Sequence, residues 1–349
     1  MAAYTTIDDP TAHFQAVKYA GNGAANHSIT LDGDTDLEPD LVWIKNLDQA
    51  DPNQLIDSVR GVTKTLDSDS NDGEVTDTDT LDAFESDGFR VDADVKVNTN
   101  TETYVSWCWK MGTTSGISGS PDITPSGYSF NATAKQSIIA YSGSTNDEDT
   151  IPHGLGVAPN MVIVKCRAAT ERWSTYHTGI TGADNGTIYL ESDAAYAVSG
   201  GSRWERSNTN TTLFGLGDDG TTNAASTYVA YCFADVQGFS KFGSYEGNAN
   251  VDGTFVYTGF RPACVIIKDA DATSQWRIFD NKRGYNGAIS YQYPSATTTN
   301  SGPEDHIDFH SNGFKLRKND DANDSGTHVY WAWAEAPFVN SNGVPCNAR

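Results

Sequence analysis

The sequence predicts an all-β protein of three tandem homologous units, each an antiparallel β-sandwich or jelly roll. One observation is a short apolar strand pattern after a proline that occurs three times, at residues 39–45, 159–165 and 262–268. Its period of roughly 100–120 residues is typical of whole domains and too long for a solenoid. A second observation is that no segment keeps a 3.6-residue apolar period, which argues against long helices.

Two further sequence features recur at nearly constant distances from this strand. Tyr19, Tyr141 and Tyr245 precede the three prolines by 20, 18 and 17 positions, and an aromatic closing strand begins 65, 69 and 66 positions after them. A Gly-Phe turn at 86–91 and 311–316 is degraded in the middle copy. These spacings predict an N-terminal arm at 1–12, units at 13–111, 127–235 and 238–337, a Gly/Ser linker at 112–126 and a tail at 338–349.

The strands of each unit are predicted from β-branched runs and from alternation. Trp107 and Trp109 are separated by one residue, as are Trp331 and Trp333, so each pair shares one face of its strand. We expect these aromatic faces to fill the core of each sandwich. Asp-Gly and Asn-Gly pairs between the runs are typical of turns.

Composition excludes several classes of protein. Lys and Arg total 23 against 46 Asp and Glu, a net charge of -23, which argues against a nucleic-acid binder. No apolar run approaches the roughly 18 residues of a membrane helix, so we expect no membrane insertion. The start lacks the features of a signal peptide, which predicts a protein made in the cytoplasm of its host. Most of the five widely spaced cysteines are interpreted as reduced core residues.

The acidic stretch at 67–74 contains the candidate metal ligands Asp67, Asp69 and Asn71, whose alternating oxygens could converge on calcium. Gly73 falls one place late for a calcium loop, and Thr78 stands where a bidentate Glu belongs. The alternative is a solvated acidic turn, and it is favoured. We therefore expect no cofactor, with calcium as the alternative.

A second candidate metal set is His306, Asp308 and His310, which alternate along one predicted strand. Two His and one carboxylate can bind a transition metal. Because Ile307 and Phe309 define the buried face, the polar trio is expected to face water. A structural strand is the favoured interpretation.

Aromatic side chains are the candidates for ligand recognition, because exposed rings can stack on sugars. Trp173 and Trp276 occupy comparable places in two units, which favours a core role. Trp204, Tyr291 and Tyr293 are unique to their copies and are the better recognition candidates. No nucleophile elbow, zinc-protease motif or P-loop is present, so no enzyme is predicted.

Several segments resemble a family of repeat-bearing virion proteins of tailed, often marine, bacteriophages, sometimes labelled tail fibres. The resemblance covers most of the chain and lies in residues 4–10, 39–45, 253–262, 331–338 and 342–345. It implies a non-enzymatic, β-rich component located on the virion. The partners implied are other virion proteins, further copies of the chain in a homo-oligomer such as a trimer, and a host surface glycan.

Two hypotheses follow. The leading one is a virion surface protein, meaning a tail fibre, an appendage or a capsid decoration that gives the particle structure and can attach it to the host. The alternative is a soluble carbohydrate-binding module that could also have glycoside hydrolase activity. The segments in which the three copies differ are where any specific function is expected.

Overall fold

A computed structural model of the chain describes residues 4–180, 186–198 and 203–346. It confirms the predicted all-β, antiparallel class. The helices in these ranges are single turns: α1 (Val95–Asn98), α2 (Gly220–Asn223) and the 3-10 turns Pro10–Ala12 and Arg206–Asn208. Within the described residues no helix is both long and apolar enough to span a bilayer.

The first part of the chain forms nine strands in two sheets. The first main sheet has the order β1-β9-β3-β4-β5-β6, and a small sheet has the order β2-β8-β7. The strands are β1 (Phe14–Ala20), β2 (His27–Thr30), β3 (Leu41–Asn46), β4 (Gln54–Asp57), β5 (Lys64–Asp67), β6 (Val75–Thr76), β7 (Leu81–Glu85), β8 (Gly88–Val91) and β9 (Thr103–Trp109).

The middle part also forms a main sheet and a smaller one. The second main sheet has the order β10-β11-β18-β13-β14-β15-β16, and β12 pairs with β17 alone. The strands are β10 (Gly127–Asn131), β11 (Gln136–Ser142), β12 (Asp149–Pro152), β13 (Met161–Cys166), β14 (Ser174–His177), β15 (Gly186–Tyr189), β16 (Ala197–Val198), β17 (Leu213–Leu216) and β18 (Thr227–Phe233).

The last part again has a main and a small sheet. The third main sheet has the order β19-β26-β21-β22-β23, and the small sheet the order β20-β25-β24. The strands are β19 (Ser240–Gly247), β20 (Phe255–Tyr257), β21 (Phe260–Asp269), β22 (Arg277–Asp280), β23 (Tyr291–Gln292), β24 (Ile307–His310), β25 (Gly313–Leu316) and β26 (Gly326–Pro337).

Each main sheet is buried on both faces. One face packs against the small sheet of the same part of the chain and forms a separate apolar cluster there. The other faces of all three main sheets meet in one central core, which contains residues from every part of the chain. Burial on both faces explains the continuous apolar runs of β3, β13 and β21.

The centre of this shared core is aromatic. Trp109, Phe233 and Trp333, one from each closing strand, contact one another edge to face, with ring centroids 5.2 Å apart for the two tryptophans and 6.5 and 5.6 Å for their contacts with Phe233. The alternating tryptophans therefore fill a core common to the three sheets and not, as expected, three separate ones. Edge-to-face packing adds about 0.5–1.5 kcal/mol per pair beyond the burial of the rings.

Polar side chains tie the main sheets together in a closed ring. The indole of Trp173 donates to the carbonyl oxygens of Asp67 and Ser70 in the first part, at 3.1 and 2.9 Å. Trp276 donates likewise to Tyr189 O at 2.9 Å, which joins the third part to the second. The amide of Asn53 donates to Ala296 O at 3.1 Å, which joins the first part to the third.

A second set of ties begins at the last residues of β4 and β22. Asp57 on β4 accepts a hydrogen bond from Tyr231 of the second main sheet, at 2.8 Å, and a bond from Arg60 Nε, at 2.5 Å. Asp280 on β22 accepts from Trp107 of the first main sheet, at 3.1 Å, and from Arg283 Nε, at 2.7 Å.

The second main sheet has no ion pair at the corresponding place. His177 ends β14 and Ile180 stands three positions later, as Arg60 does after Asp57. His177 is buried, and burial lowers its pKa to about 4, so the imidazole is neutral at pH 7. The second main sheet therefore has neither the carboxylate nor the guanidinium at this place, and His177 and Ile180 put no unpaired charge there.

Candidate functional site

The tryptophans singled out for recognition lie inside the protein. Trp173 and Trp276 are 0% exposed, and Trp204 is 2% exposed. Trp204 packs edge-on against Tyr176, with centroids 5.9 Å apart, in the cluster between β12-β17 and the second main sheet. The core role favoured for Trp173 and Trp276 is therefore confirmed. The expectation that Trp204 is a recognition residue is corrected, because its ring fills a core and offers no face on which a sugar could stack.

Tyr291 and Tyr293 are partly buried and bonded to each other, with their hydroxyl oxygens 3.0 Å apart. Arg277 lies over the Tyr291 ring at 4.5 Å, and the His306 ring meets that ring edge-on at 4.8 Å. Burial, followed by the bond to Tyr291, raises the pKa of Tyr293 to about 12. These contacts use the faces and hydroxyl groups that a ligand would need.

The alternation predicted that His306 faces water together with Asp308 and His310. This prediction is wrong for His306. It lies just before β24 and is buried, with Nδ1 2.5 Å from Asp320 Oδ2. Arg277 completes this cluster with a 2.6 Å bond to the same carboxylate. The ion pairs and the hydrogen bond lower the pKa of Asp320 although burial opposes the shift. The expected surface trio is thus divided between interior and surface.

The acidic stretch is a contact between sheets and not a solvated turn. Ser68 donates to Pro294 O at 2.6 Å, and Lys165 donates to Asn71 O at 2.8 Å. Asp69 accepts two hydrogen bonds from Asn53, and Gln54 donates to Asp67, whose pKa is raised to about 6 by burial and by the neighbouring Asp69. Among the residues that the structure describes, no three His, Cys, Asp or Glu side chains are arranged to hold a metal ion.

The most exposed pair of neighbouring aromatic side chains belongs to a strand that sequence reasoning did not select. Phe255 and Tyr257 alternate with buried Val256 on β20 and are 45% and 54% exposed. Phe255 meets the ring of His310 edge-on at 5.9 Å across the intervening strand β25. We name the outward surface formed by Phe255, Tyr257 and His310 the aromatic face.

A glycine makes this arrangement of rings fit. Gly313 lies opposite both Tyr257 and His310 in the small sheet. A Cβ atom at this position would lie 2.1 Å from Val256 O and 3.1 Å from the Phe255 ring. The absent side chain lets β20 approach β25 and leaves the space through which Phe255 reaches His310.

A polar cleft of about 300 Å³ adjoins the aromatic face at Tyr257. Tyr4 forms one wall: its hydroxyl donates to Gly259 O at 2.9 Å and lies 3.1 Å from the Tyr257 hydroxyl. Burial and the bond to Tyr257 raise the pKa of Tyr4 to about 12, so the phenol is neutral. The cleft is also lined by Asp235 and Lys241, 2.8 Å apart, and by the exposed Gln237, whose side chain hydrogen-bonds the Tyr4 hydroxyl.

The corresponding surface of the first small sheet is polar. The strand register shows which positions correspond. On β2, Ser28 pairs with Arg90 and Thr30 with Gly88. On β20, Phe255 pairs with Lys315 and Tyr257 with Gly313, so Ser28 corresponds to Phe255 and Thr30 to Tyr257. Glu85, in the place of His310, accepts from Ser28 at 3.1 Å and pairs with Arg90 at 3.4 Å. The sequence signal for the aromatic face was present in the alternating Phe255-Val256-Tyr257, where the first copy has polar residues.

Comparison with known proteins gives a family but no function. No curated protein matches the chain, and no solved structure matches it. Residues 9–337 match a family described only as a domain of unknown function. Since this range includes most of the chain, the chain belongs to the family Domain of unknown function (DUF7483).

Proposed function

We propose that this protein is a non-enzymatic surface component of a bacteriophage particle, as a tail fibre, an appendage or a capsid decoration. The observation that supports this role best is the interlocking of three sheets around one aromatic core. Such a body is rigid without a shaft and can present loops and small sheets outward. The resemblance of its strands to phage virion proteins points to the same role.

The proposal includes the derivation of the three main sheets from three homologous tandem units, at 13–111, 127–235 and 238–337. One shared contact supports this derivation. Near the end of each of the strands β3, β13 and β21, a buried lysine donates hydrogen bonds to backbone carbonyl oxygens of the next loop. The bonds are Lys45 to Asp51 at 2.7 Å, Lys165 to Glu171 at 2.5 Å and Lys268 to Ala272 at 3.2 Å. Burial lowers the pKa of all three to about 8.

The three Tyr-x-Gly anchors supply a second set of matching contacts. Each tyrosine stacks on a ring at the start of the closing strand and donates to the carbonyl oxygen of a nearby turn. The stacked pairs are Tyr19–Tyr104, Tyr141–Tyr228 and Tyr245–His328, with centroids 5.2, 5.2 and 5.1 Å apart. The acceptors are Val97 at 2.9 Å, Thr222 at 2.7 Å and Ala322 at 2.5 Å. Shared strand patterns with shared contacts favour duplication of one ancestral unit.

On the particle, the partners would be other virion proteins and further copies of the chain, with a trimer as one form of a homo-oligomer. A host-surface glycan is the proposed external partner.

The test is proteomic. Phage particles purified through a density gradient from cells infected with a phage that encodes this chain should contain it in stoichiometric amount, as measured by quantitative mass spectrometry. Antibody labelling in electron micrographs would then distinguish head from tail. Detection of the chain only in the infected-cell lysate, with none on the particles, would refute the proposal.

The second candidate is a soluble carbohydrate-binding module, with or without hydrolase activity. The aromatic face and its polar cleft favour it, because both are typical of surfaces that bind sugars. The same proteomic experiment separates the two, since a soluble module would be absent from purified particles.

A further inference from the structure

We propose that the aromatic face and the cleft beside Tyr4 form one binding site for a neutral, pyranose-containing glycan. This assignment rests on the proposed surface role and names the class of molecule that the surface would contact. It concerns the third small sheet alone, where the chain departs from the pattern of the first.

The rings supply the stacking surface. Phe255 and Tyr257 are two positions apart on one strand, so their side chains lie on the same face roughly 7 Å apart. Two rings on one face let a single glycan chain contact both of them. The C–H groups on one face of a pyranose are apolar and weakly positive, and the faces of aromatic rings are negative. Two rings left about half exposed in a soluble protein therefore suit a sugar.

The cleft supplies hydrogen bonds without net charge. Asp235 and Lys241 neutralise each other at 2.8 Å, and both remain partly exposed. Gln237 adds an amide that both donates and accepts, and the Tyr4 and Tyr257 hydroxyls lie at the border with the aromatic face. Sugar hydroxyls also donate and accept, so this set of groups complements them.

Electrostatics select against acidic glycans. The chain carries a net charge of -23, and the single cleft lysine is already paired with a carboxylate. Lys315, which lies opposite Phe255 in the sheet, is likewise paired with a carboxylate, that of Asp252, at 2.7 Å. A sialylated or sulfated chain would meet repulsion from the body. A neutral hexose oligosaccharide has no such cost.

Within the described residues, the aromatic face belongs to the small sheet of the third part of the chain. The corresponding positions in the first small sheet, Ser28 and Thr30, carry no ring. A single sugar contact of this kind is weak, and several copies on one particle would raise the overall affinity by avidity.

The experiment uses the full-length chain on an array of neutral hexose oligosaccharides with sialylated and sulfated counterparts, followed by calorimetric titration of the best neutral ligand. We expect binding to neutral glycans, weakened at least about tenfold by Phe255→Ala or by Tyr257→Ala. Tyr257→Phe should keep most of the affinity, because the ring remains. The matched control, Ser28→Ala with Thr30→Ala, should leave it unchanged.

Three results would overturn the assignment: no binding to any glycan on the array, preference for the acidic counterparts, or binding that the aromatic substitutions leave intact. Equal melting temperatures of variants and parent would exclude misfolding as the cause of a loss. Presence on the particle is measured independently. A chain found on virions but inactive on the array would thus remove the glycan site and leave the virion role standing.

Discussion

Separating the buried ion pair of the first main sheet should cost far more than removing both of its members. Asp57 and Arg60 have side chains fully withdrawn from water, and the carboxylate also accepts a bond from Tyr231 of the second sheet. The second sheet carries His177 and Ile180 in the same places, which supplies a neutral replacement that already exists in this fold.

The proposed double-mutant cycle therefore replaces Asp57 and Arg60 with the residue types that the second main sheet has at these positions, His and Ile. Asp57→His alone leaves Arg60 without its main partner, and Arg60→Ile alone leaves a buried carboxylate without a cation. Each should lower the free energy of unfolding by about 3–5 kcal/mol, a large part of the total stability of a typical domain. The double variant should lose no more than about 3 kcal/mol, giving a favourable coupling of at least about 3 kcal/mol.

The assay is urea unfolding followed by tryptophan fluorescence at pH 7. The exposed pair Lys282–Asp32, 2.7 Å apart, is the control, and its cycle should give a coupling below about 1 kcal/mol. Additive losses in the Asp57–Arg60 cycle, or single losses below about 1 kcal/mol, would refute the reasoning that the pair is stable only as a pair.

Two further outcomes are expected. Trp173→Phe should lower the free energy of unfolding by at least about 1 kcal/mol more than Trp43→Phe in the same assay. The reason is that Trp173 donates to two carbonyl oxygens of the first part of the chain, whereas Trp43 Nε1 has no hydrogen-bond partner among the described residues. Equal losses would contradict the role given to the ring of hydrogen bonds between the sheets. His177 has a folded pKa of about 4 against about 6.5 unfolded, so the stability that its neutral form contributes is present above pH 6.5 and is lost as the pH falls toward 4. Between pH 7 and 5 the parent should therefore lose about 2 kcal/mol more than His177→Gln, and parallel pH profiles would disprove this.

The local structure could be predicted because it depends on patterns within a few residues. Alternation at Trp107 and Trp109 correctly predicts a shared strand face, and the proline-led apolar runs correctly predict β3, β13 and β21. The sequence could not show what the tryptophan face packs against. The same alternation fits a core inside one sandwich and a core shared by three sheets. The choice depends on contacts such as Trp109 with Trp333, far apart in the sequence.

The candidate site was missed for a related reason. Trp204 was selected because a large ring found in one unit alone suggests a recognition residue, yet it is buried. Its burial depends on the position of Tyr176 and not on its neighbours in sequence. The acidic stretch looked solvated because its carboxylates are exposed in any local view, whereas Lys165 and Pro294 reach it from elsewhere. Phe255 and Tyr257 could have been found by asking which strand residues are aromatic in one copy and polar in another.

The central claim, that the three main sheets form one body around one core, is tested most directly by scanning calorimetry of the full chain. The shared core predicts a single transition in which the calorimetric and van't Hoff enthalpies agree within error. Three independent sandwiches would unfold separately, with a van't Hoff enthalpy near one third of the total. Separate transitions, or a ratio near one third, would contradict the account.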